Sequence, residues 1–112
     1  MLLHGEVSNK TLTLGQIKEF AVPFFKKYKN VTKVYVFGSY AKGKSNRPSI
    51  ELVVEADGLG ESKAKDIDIS WFLDGYELSE MLEKNCRLNS FDTIEQFKKW
   101  AKNREGVVIY KR

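Results

Sequence analysis

Residues 36–56, "VFGSYAKGKSNRPSIELVVEA", contain the end of one hydrophobic run, a glycine-serine turn and a second hydrophobic run. The first run, residues 33–37, is β-branched and aromatic, which predicts a strand that ends at Gly38. The second run alternates in polarity, which predicts another strand. The apolar members of that alternation are Ile50, Leu52 and Val54. The residues between the two runs predict a turn that opens a short helix.

A helical stripe precedes this region. Thr13 is the predicted N-cap, and apolar residues follow at steps of three and four up to about Asn30. Pro23 lies inside the stripe and predicts either a kink or a later start of the helix.

The second half of the chain continues to alternate between helix and strand. Residues 69–83 keep helical spacing, weakened at Gly75. "NCRLNS", residues 85–90, predicts a third strand, and Asp92 is the predicted cap of a third helix. "VVIYK", residues 107–111, predicts either a last strand or an extended tail. This order predicts an α/β or α+β fold, a small mixed β-sheet with helices packed on it.

The composition is that of a small globular protein. With 112 residues, 42% of them hydrophobic, the chain predicts one domain spanning residues 1–112. The net charge of +4 permits a polyanionic partner without requiring one. Its one cysteine, Cys86, excludes an internal disulfide framework and a cysteine zinc cluster, and a buried structural role is favoured for it. No apolar run reaches the roughly 18 residues of a membrane span, and the start lacks a secretory cleavage pattern, so we expect a cytoplasmic protein without membrane contact.

The glycine-serine turn is a candidate phosphate site. Gly38 and Ser39 directly follow a predicted strand and open a predicted helix. Such a turn points backbone N–H groups at an anion, and the Ser39 hydroxyl can donate to a phosphate oxygen. Lys42 and Lys44 add positive charge just beyond. A plain tight turn explains these residues as well, so both interpretations stay open.

The wider pattern of residues 36–55 resembles the polymerase-β-type nucleotidyltransferases, in particular the minimal MNT-like domains. Their pattern is a strand, Gly-Ser-Tyr-Ala-Arg-Gly, a loop, and a Ser-Asp-x-Asp-Leu strand. Here "GSYAKG" and "PSIEL" stand in the corresponding places, and the resemblance covers the whole chain. It implies a nucleotidyltransferase-like fold with nucleotide phosphates bound at Gly38, Ser39 and Lys42. It also implies two divalent metals, held by the two strand aspartates and a third carboxylate on a later strand.

The chain departs from the family pattern at all three implied metal positions. Ser49 stands at the first aspartate, Glu51 at the second, and Arg87 at the third carboxylate. A hydroxyl is a poor Mg²⁺ ligand, Glu51 keeps one charge on a longer side chain, and a guanidinium repels a metal. We therefore expect a degenerate site in which Glu51 is the remaining ligand and Arg87 pairs with it in place of the metal.

Other polar residues offer alternatives. Asp66 and Asp68 have the i, i+2 spacing of a metal pair, but they precede a predicted helix, whose dipole favours acidic residues there. Glu55 is close enough in sequence to assist Glu51 in an active enzyme. His4, the only histidine, has no nucleophile at a suggestive spacing, so no hydrolase triad is predicted.

Three functions follow as alternatives. The first is a catalytically impaired binding module, for which the resemblance implies a HEPN-type toxin as partner and an antitoxin role. The second is an active Mg²⁺-dependent enzyme that moves a nucleoside monophosphate from ATP to a hydroxyl. The third is a sensor that binds a nucleotide or RNA without turnover. The basic residues that would border its ligand are Lys26, Lys27, Lys29, Lys33, Lys42, Lys44 and Arg47.

Overall fold

A mixed four-stranded sheet organises the protein, whose computed structural model describes residues 9–57, 70–91 and 93–112. The strands are β1 (Leu12–Thr13), β2 (Val31–Phe37), β3 (Lys44–Ser45), β4 (Ser49–Ala56), β5 (Asn85–Asn89) and β6 (Gly106–Lys111). The sheet has the order β5-β4-β2-β6. Strand β2 is antiparallel to β4 and β6, whereas β4 is parallel to β5. The predicted mixed sheet and α+β class are confirmed.

Within the described residues, four α-helices and one 3-10 helix accompany the sheet. They are α1 (Leu14–Lys26), the 3-10 helix (Gly38–Lys42), α2 (Ser70–Leu73), α3 (Gly75–Leu82) and α4 (Ile94–Ala101). Among the helices that the structure describes, none combines the length and the hydropathy needed to cross a membrane.

Alternation along β2 and β4 divides the sheet into two faces. Val34 and Val36 of β2 enter the main core together with alternate residues of β4. Helices α1 and α3 cover this face with Phe24, Phe25 and Leu78. The opposite face carries Tyr35 and Phe37, which contact the aromatic rings of α4.

Helix α1 begins where the sequence predicts. The Thr13 side chain accepts from the Gln16 backbone N–H at 3.1 Å, and the Gln16 side chain accepts from the Thr13 N–H at 2.8 Å. This reciprocal pair is a capping box. The predicted later start is wrong, because the helix continues through Pro23 to Lys26. Pro23 is exposed, so the carbonyl that its ring leaves without a donor can turn to water.

The predicted helix over residues 69–83 is split in two. Helix α2 ends at Leu73, and α3 begins at Gly75 after a turn at Asp74. The Asp74 carboxylate accepts from the Tyr28 hydroxyl at 2.7 Å, which fixes the turn against α1. A Cβ at Gly75 would lie 2.6 Å from Cδ1 of Leu88, so glycine is needed for the close approach of α3 to β5. Position 69 lies outside the described residues.

Two short features differ from the sequence expectations. β1 and β3 pair as a separate two-stranded ladder. Each strand has only two residues, too few to show the alternating pattern by which a strand is predicted from sequence. Thr93, rather than Asp92, caps α4: its side chain accepts from the Gln96 backbone N–H at 3.1 Å. Asp92 itself lies outside the described residues.

Candidate functional site

The glycine-serine turn leaves the end of β2 through a left-handed residue. Gly38 has φ of +83°, a conformation that L side chains rarely adopt, and the 3-10 helix follows at once. The Gly38 backbone N–H donates to the Glu105 carbonyl at 3.3 Å, so this amide is already used within the fold. A Cβ at position 38 would lie 3.8 Å from the Glu51 carboxylate. A Cβ would fit at this distance, so glycine is required here by its φ, and the turn lies close to the Glu51 carboxylate of β4.

The Ser39 hydroxyl is oriented by a chain of hydrogen bonds. The Arg47 backbone N–H donates to the Ser45 hydroxyl at 3.1 Å, and that hydroxyl donates to the Ser39 hydroxyl at 2.9 Å. Ser39 accepts in this chain, so it keeps its own proton to donate elsewhere. Ser39 is exposed at the start of the 3-10 helix, where it can meet a ligand from solvent.

The strand positions meet through the parallel register of β4 and β5. Glu51 stands opposite Arg87, and Ser49 stands opposite Asn85. On its other side, Glu51 stands opposite Phe37 of β2. Glu51 and Arg87 do not form an ion pair, so the expected replacement of the metal by such a pair is wrong. Arg87 is exposed at the outer strand and can extend into solvent.

One open depression of about 400 Å³ collects these residues at the ends of β2, β4 and β5. Five of the six predicted site residues line it, and Lys42, exposed on the 3-10 helix, is not among its lining residues. Arg47 lines it too, although the sequence places Arg47 only in a general basic cluster. The full lining is Phe37, Gly38, Ser39, Arg47, Pro48, Ser49, Glu51 and Arg87.

The chain that builds this depression matches the model of a known protein family. The family model described as "Polymerase beta, Nucleotidyltransferase" matches residues 19–112. The chain belongs to this nucleotidyltransferase family.

The fold of this member of the nucleotidyltransferase family is also found in a solved toxin–antitoxin structure. That structure is the pair MntA–HpeT, in a mutant with two aspartates replaced by glutamate. The match has a TM-score of 0.61 at 17% identity and covers 85% of this chain and 73% of the other. A comparison with curated proteins finds no match. At this identity the likeness establishes the fold, which is MNT-like.

The family generally uses a divalent metal, but the residues here do not fit one. Mg²⁺ requires several hard oxygen ligands in near-octahedral geometry. The depression offers one carboxylate, Glu51, beside the Ser49 hydroxyl and the Arg87 cation. Within residues 9–57, 70–91 and 93–112, no three side chains of the types His, Cys, Asp and Glu come together as a metal site. His4, Asp66 and Asp68 lie outside these ranges.

Glu55 does not complete a metal site with Glu51. It is four residues beyond Glu51 on the same strand, a distance of about 13 Å at the rise of a β-strand. Its carboxylate accepts from the Tyr35 hydroxyl at 2.9 Å. Two carboxylates this far apart cannot ligate one ion.

Cys86 has a structural environment and not that of a catalytic nucleophile. It packs against the core from β5, and its N–H donates to the Ser79 hydroxyl at 3.0 Å. Burial raises the pKa of the Cys86 thiol to about 12. Because the thiolate is the nucleophilic form, this cysteine is inert near neutral pH.

Proposed function

We propose that this chain is a nucleotidyltransferase-fold protein that acts by binding instead of by metal-dependent transfer. Its role is that of the antitoxin-like member of a toxin–antitoxin pair. The observation that carries the proposal is the position of Arg87, in register with Glu51 at the mouth of the depression.

Electrostatics supports the loss of two-metal chemistry. Neighbouring strands lie about 4.8 Å apart, so the charge at position 87 is close to any ion held by Glu51. Two unit charges 4 Å apart interact by about 4 kcal/mol at an effective dielectric constant of 20. With Arg87 present, this Coulomb interaction opposes the binding of a cation, whereas a carboxylate at position 87 would favour cation binding. Ser49 adds no compensating charge.

The same residues favour a phosphate group without a metal. Arg47 and Arg87 both line the depression, and Arg guanidinium groups match phosphate oxygens through two parallel N–H donors. The Ser39 hydroxyl supplies a third donor at the turn. Nucleotide phosphates are thus the ligand class that the depression suits, with Mg²⁺ unnecessary for binding.

A toxin partner follows from the kind of protein that shares the fold. The similar solved structure is a toxin–antitoxin pair. We propose that this chain likewise binds a toxin, of the HEPN type that the resemblance implies, and that it neutralises the toxin by contact.

The first test is a calorimetric titration of the purified chain with ATP, with and without Mg²⁺. We expect binding that Mg²⁺ does not strengthen. Arg47→Ala and Arg87→Ala should each weaken it about tenfold, the equivalent of ~1.4 kcal/mol for one charge-assisted contact. Lys18→Ala is the matched control, because Lys18 is an exposed cation on α1 outside the lining residues. Binding that Mg²⁺ strengthens markedly would contradict the proposal.

The second test addresses turnover and the partner together. The chain is incubated with labelled ATP, Mg²⁺ and a purified HEPN-type RNase. We expect inhibition of the RNase without transfer of label to it, and the same inhibition when ATP is left out. Label on the RNase would instead support the active enzyme, and the absence of both label and inhibition would remove the antitoxin role.

A further inference from the structure

We propose that Lys84 is a positioning residue that fixes the 45–48 loop and thereby holds Ser39 and Arg47 ready for an anion. This inference rests on the proposed function, since it explains how the depression is prepared for a phosphate group. Lys84 itself lies behind the loop, between α3 and β5.

The first observation is the burial of a charged side chain. Lys84 has 0% of its surface exposed, and its Nζ donates to the Asn46 carbonyl at 3.4 Å. Its backbone N–H donates to the Ser79 carbonyl, which ties the residue to α3. Burial lowers the pKa of the Lys84 amine. Placing an ammonium group in the core costs stability unless its hydrogen bonds offset the lost solvation.

The second observation is that three consecutive carbonyls of the loop accept hydrogen bonds from well-anchored donors. The Lys84 Nζ donates to the Asn46 carbonyl. The hydroxyl of buried Tyr40 donates to the Arg47 carbonyl at 2.6 Å. The Asn85 backbone N–H donates to the Pro48 carbonyl at 2.9 Å. The side chains of Asn46, Arg47 and Pro48 are exposed, but these hydrogen bonds hold the backbone of the loop from the protein side.

The third observation connects the loop to the depression. The loop supplies the Arg47 N–H that donates to Ser45, which in turn donates to Ser39. A shift of the loop would therefore change the orientation of the Ser39 hydroxyl and the position of the Arg47 guanidinium. Binding groups that are held in place before a ligand arrives bind it more tightly, because less ordering remains to be done.

The decisive experiment compares pyrophosphate binding by the full chain and by Lys84→Met, measured by calorimetry. Methionine fills a similar volume without the donor. We expect affinity to fall about tenfold, the equivalent of ~1.4 kcal/mol. Leu82→Ala is the control for general destabilisation, since Leu82 is buried in α3 and does not line the depression. Its affinity should match that of the wild type, and an equal loss in both variants would overturn the proposal.

A double-mutant cycle separates positioning from mere structural support. In the Arg47→Ala background, Lys84→Met should cause little further loss, because the group that it positions is already absent. An undiminished loss in that background would overturn the assignment.

Amide hydrogen exchange of Arg47, followed by NMR without ligand, keeps the two proposals distinguishable. If Lys84 fixes the loop, Lys84→Met exposes the Arg47 amide and its exchange rate rises at least severalfold. An unchanged exchange rate would overturn the positioning role and leave the proposed function untouched. If instead the wild-type chain fails to bind pyrophosphate, the proposed phosphate binding fails and the anion role of the loop fails with it; the exchange rate of the Arg47 amide still decides separately whether Lys84 fixes the loop. Should Lys84→Met not fold, Tyr40→Phe removes the hydrogen bond to the Arg47 carbonyl with little change in shape. If that variant leaves both exchange and binding unchanged, the loop needs no such support and the proposal falls.

Discussion

Arg87 stands directly opposite Glu51 on two parallel neighbouring strands, and both side chains line one depression with Ser39. A cation thus occupies the position at which the family resemblance implies a carboxylate. The backbone framework of a nucleotidyltransferase is retained while the charge at the strand ends is altered.

Restoring the carboxylates should restore metal binding. The triple variant Ser49→Asp, Glu51→Asp, Arg87→Asp replaces one cation and one hydroxyl by hard oxygen ligands. We expect its Mg²⁺ affinity, measured by calorimetry, to rise about tenfold or more, given a Coulomb term of about 4 kcal/mol per charge pair. Glu55→Asp is the control and should gain nothing. No gain in the triple variant would mean that these positions are wrongly aligned with the family's ligands.

Glycine at position 106 should be essential for packing. A Cβ there would overlap the ring of Phe37, which also contacts the Trp100 ring at 4.9 Å between centroids. Gly106→Ala should lower the free energy of unfolding by about 1–3 kcal/mol, as overpacking does. Gly15→Ala is the matched control, because its nearest atom would be the Thr13 hydroxyl at 3.8 Å. Urea denaturation should find the control neutral or stabilised; equal losses would contradict the packing argument.

The Cys86 thiol should make stability fall at alkaline pH. Its folded pKa of about 12 lies above the ordinary value of 9.0, so ionisation favours the unfolded chain. The contribution is complete below about pH 9 and is lost as pH rises toward 12, with a slope near 1.4 kcal/mol per pH unit. Cys86→Ala lacks this slope. The difference between the two proteins in the free energy of unfolding, measured with urea, should narrow by about 1.6 kcal/mol between pH 9 and pH 10.5; a constant difference would contradict the prediction.

The capping box of α1 should contribute measurably to stability. Thr13→Ala removes the acceptor for the Gln16 N–H and should cost about 1 kcal/mol in the free energy of unfolding. Thr11→Ala, an exposed neighbour before the helix, serves as the control. If thermal unfolding gives the same loss of stability for both variants, the cap contributes nothing.

Local signals in the sequence account for much of the fold. The Thr13 cap and the alternation in β4 depend on residues a few positions apart, and both predictions agree with the structure. The break at Asp74 was not predictable, because it depends on Tyr28 and Leu88, which are distant in sequence. The single domain over residues 1–112 stays a prediction.

The candidate site was only partly predictable for a related reason. The family pattern identifies Ser49, Glu51 and Arg87 by their order along the chain. Arg47 enters the depression because buried Tyr40 fixes the conformation of its loop, and a basic residue in a loop carries no sign of that in sequence. The identity of a strand residue follows from local pattern, whereas the direction of a loop follows from its tertiary partners.

The register shift between β2 and β6 has a consequence for the behaviour of the protein at high concentration. Val34 pairs with Tyr110 but Tyr35 pairs with Val108, so Ile109 is an extra residue in the outermost strand on that side of the described sheet. An extra residue bends a strand and interrupts its regular spacing of donors and acceptors. The edge is therefore a poorer template for a strand of a second molecule, which disfavours edge-to-edge aggregation on this side.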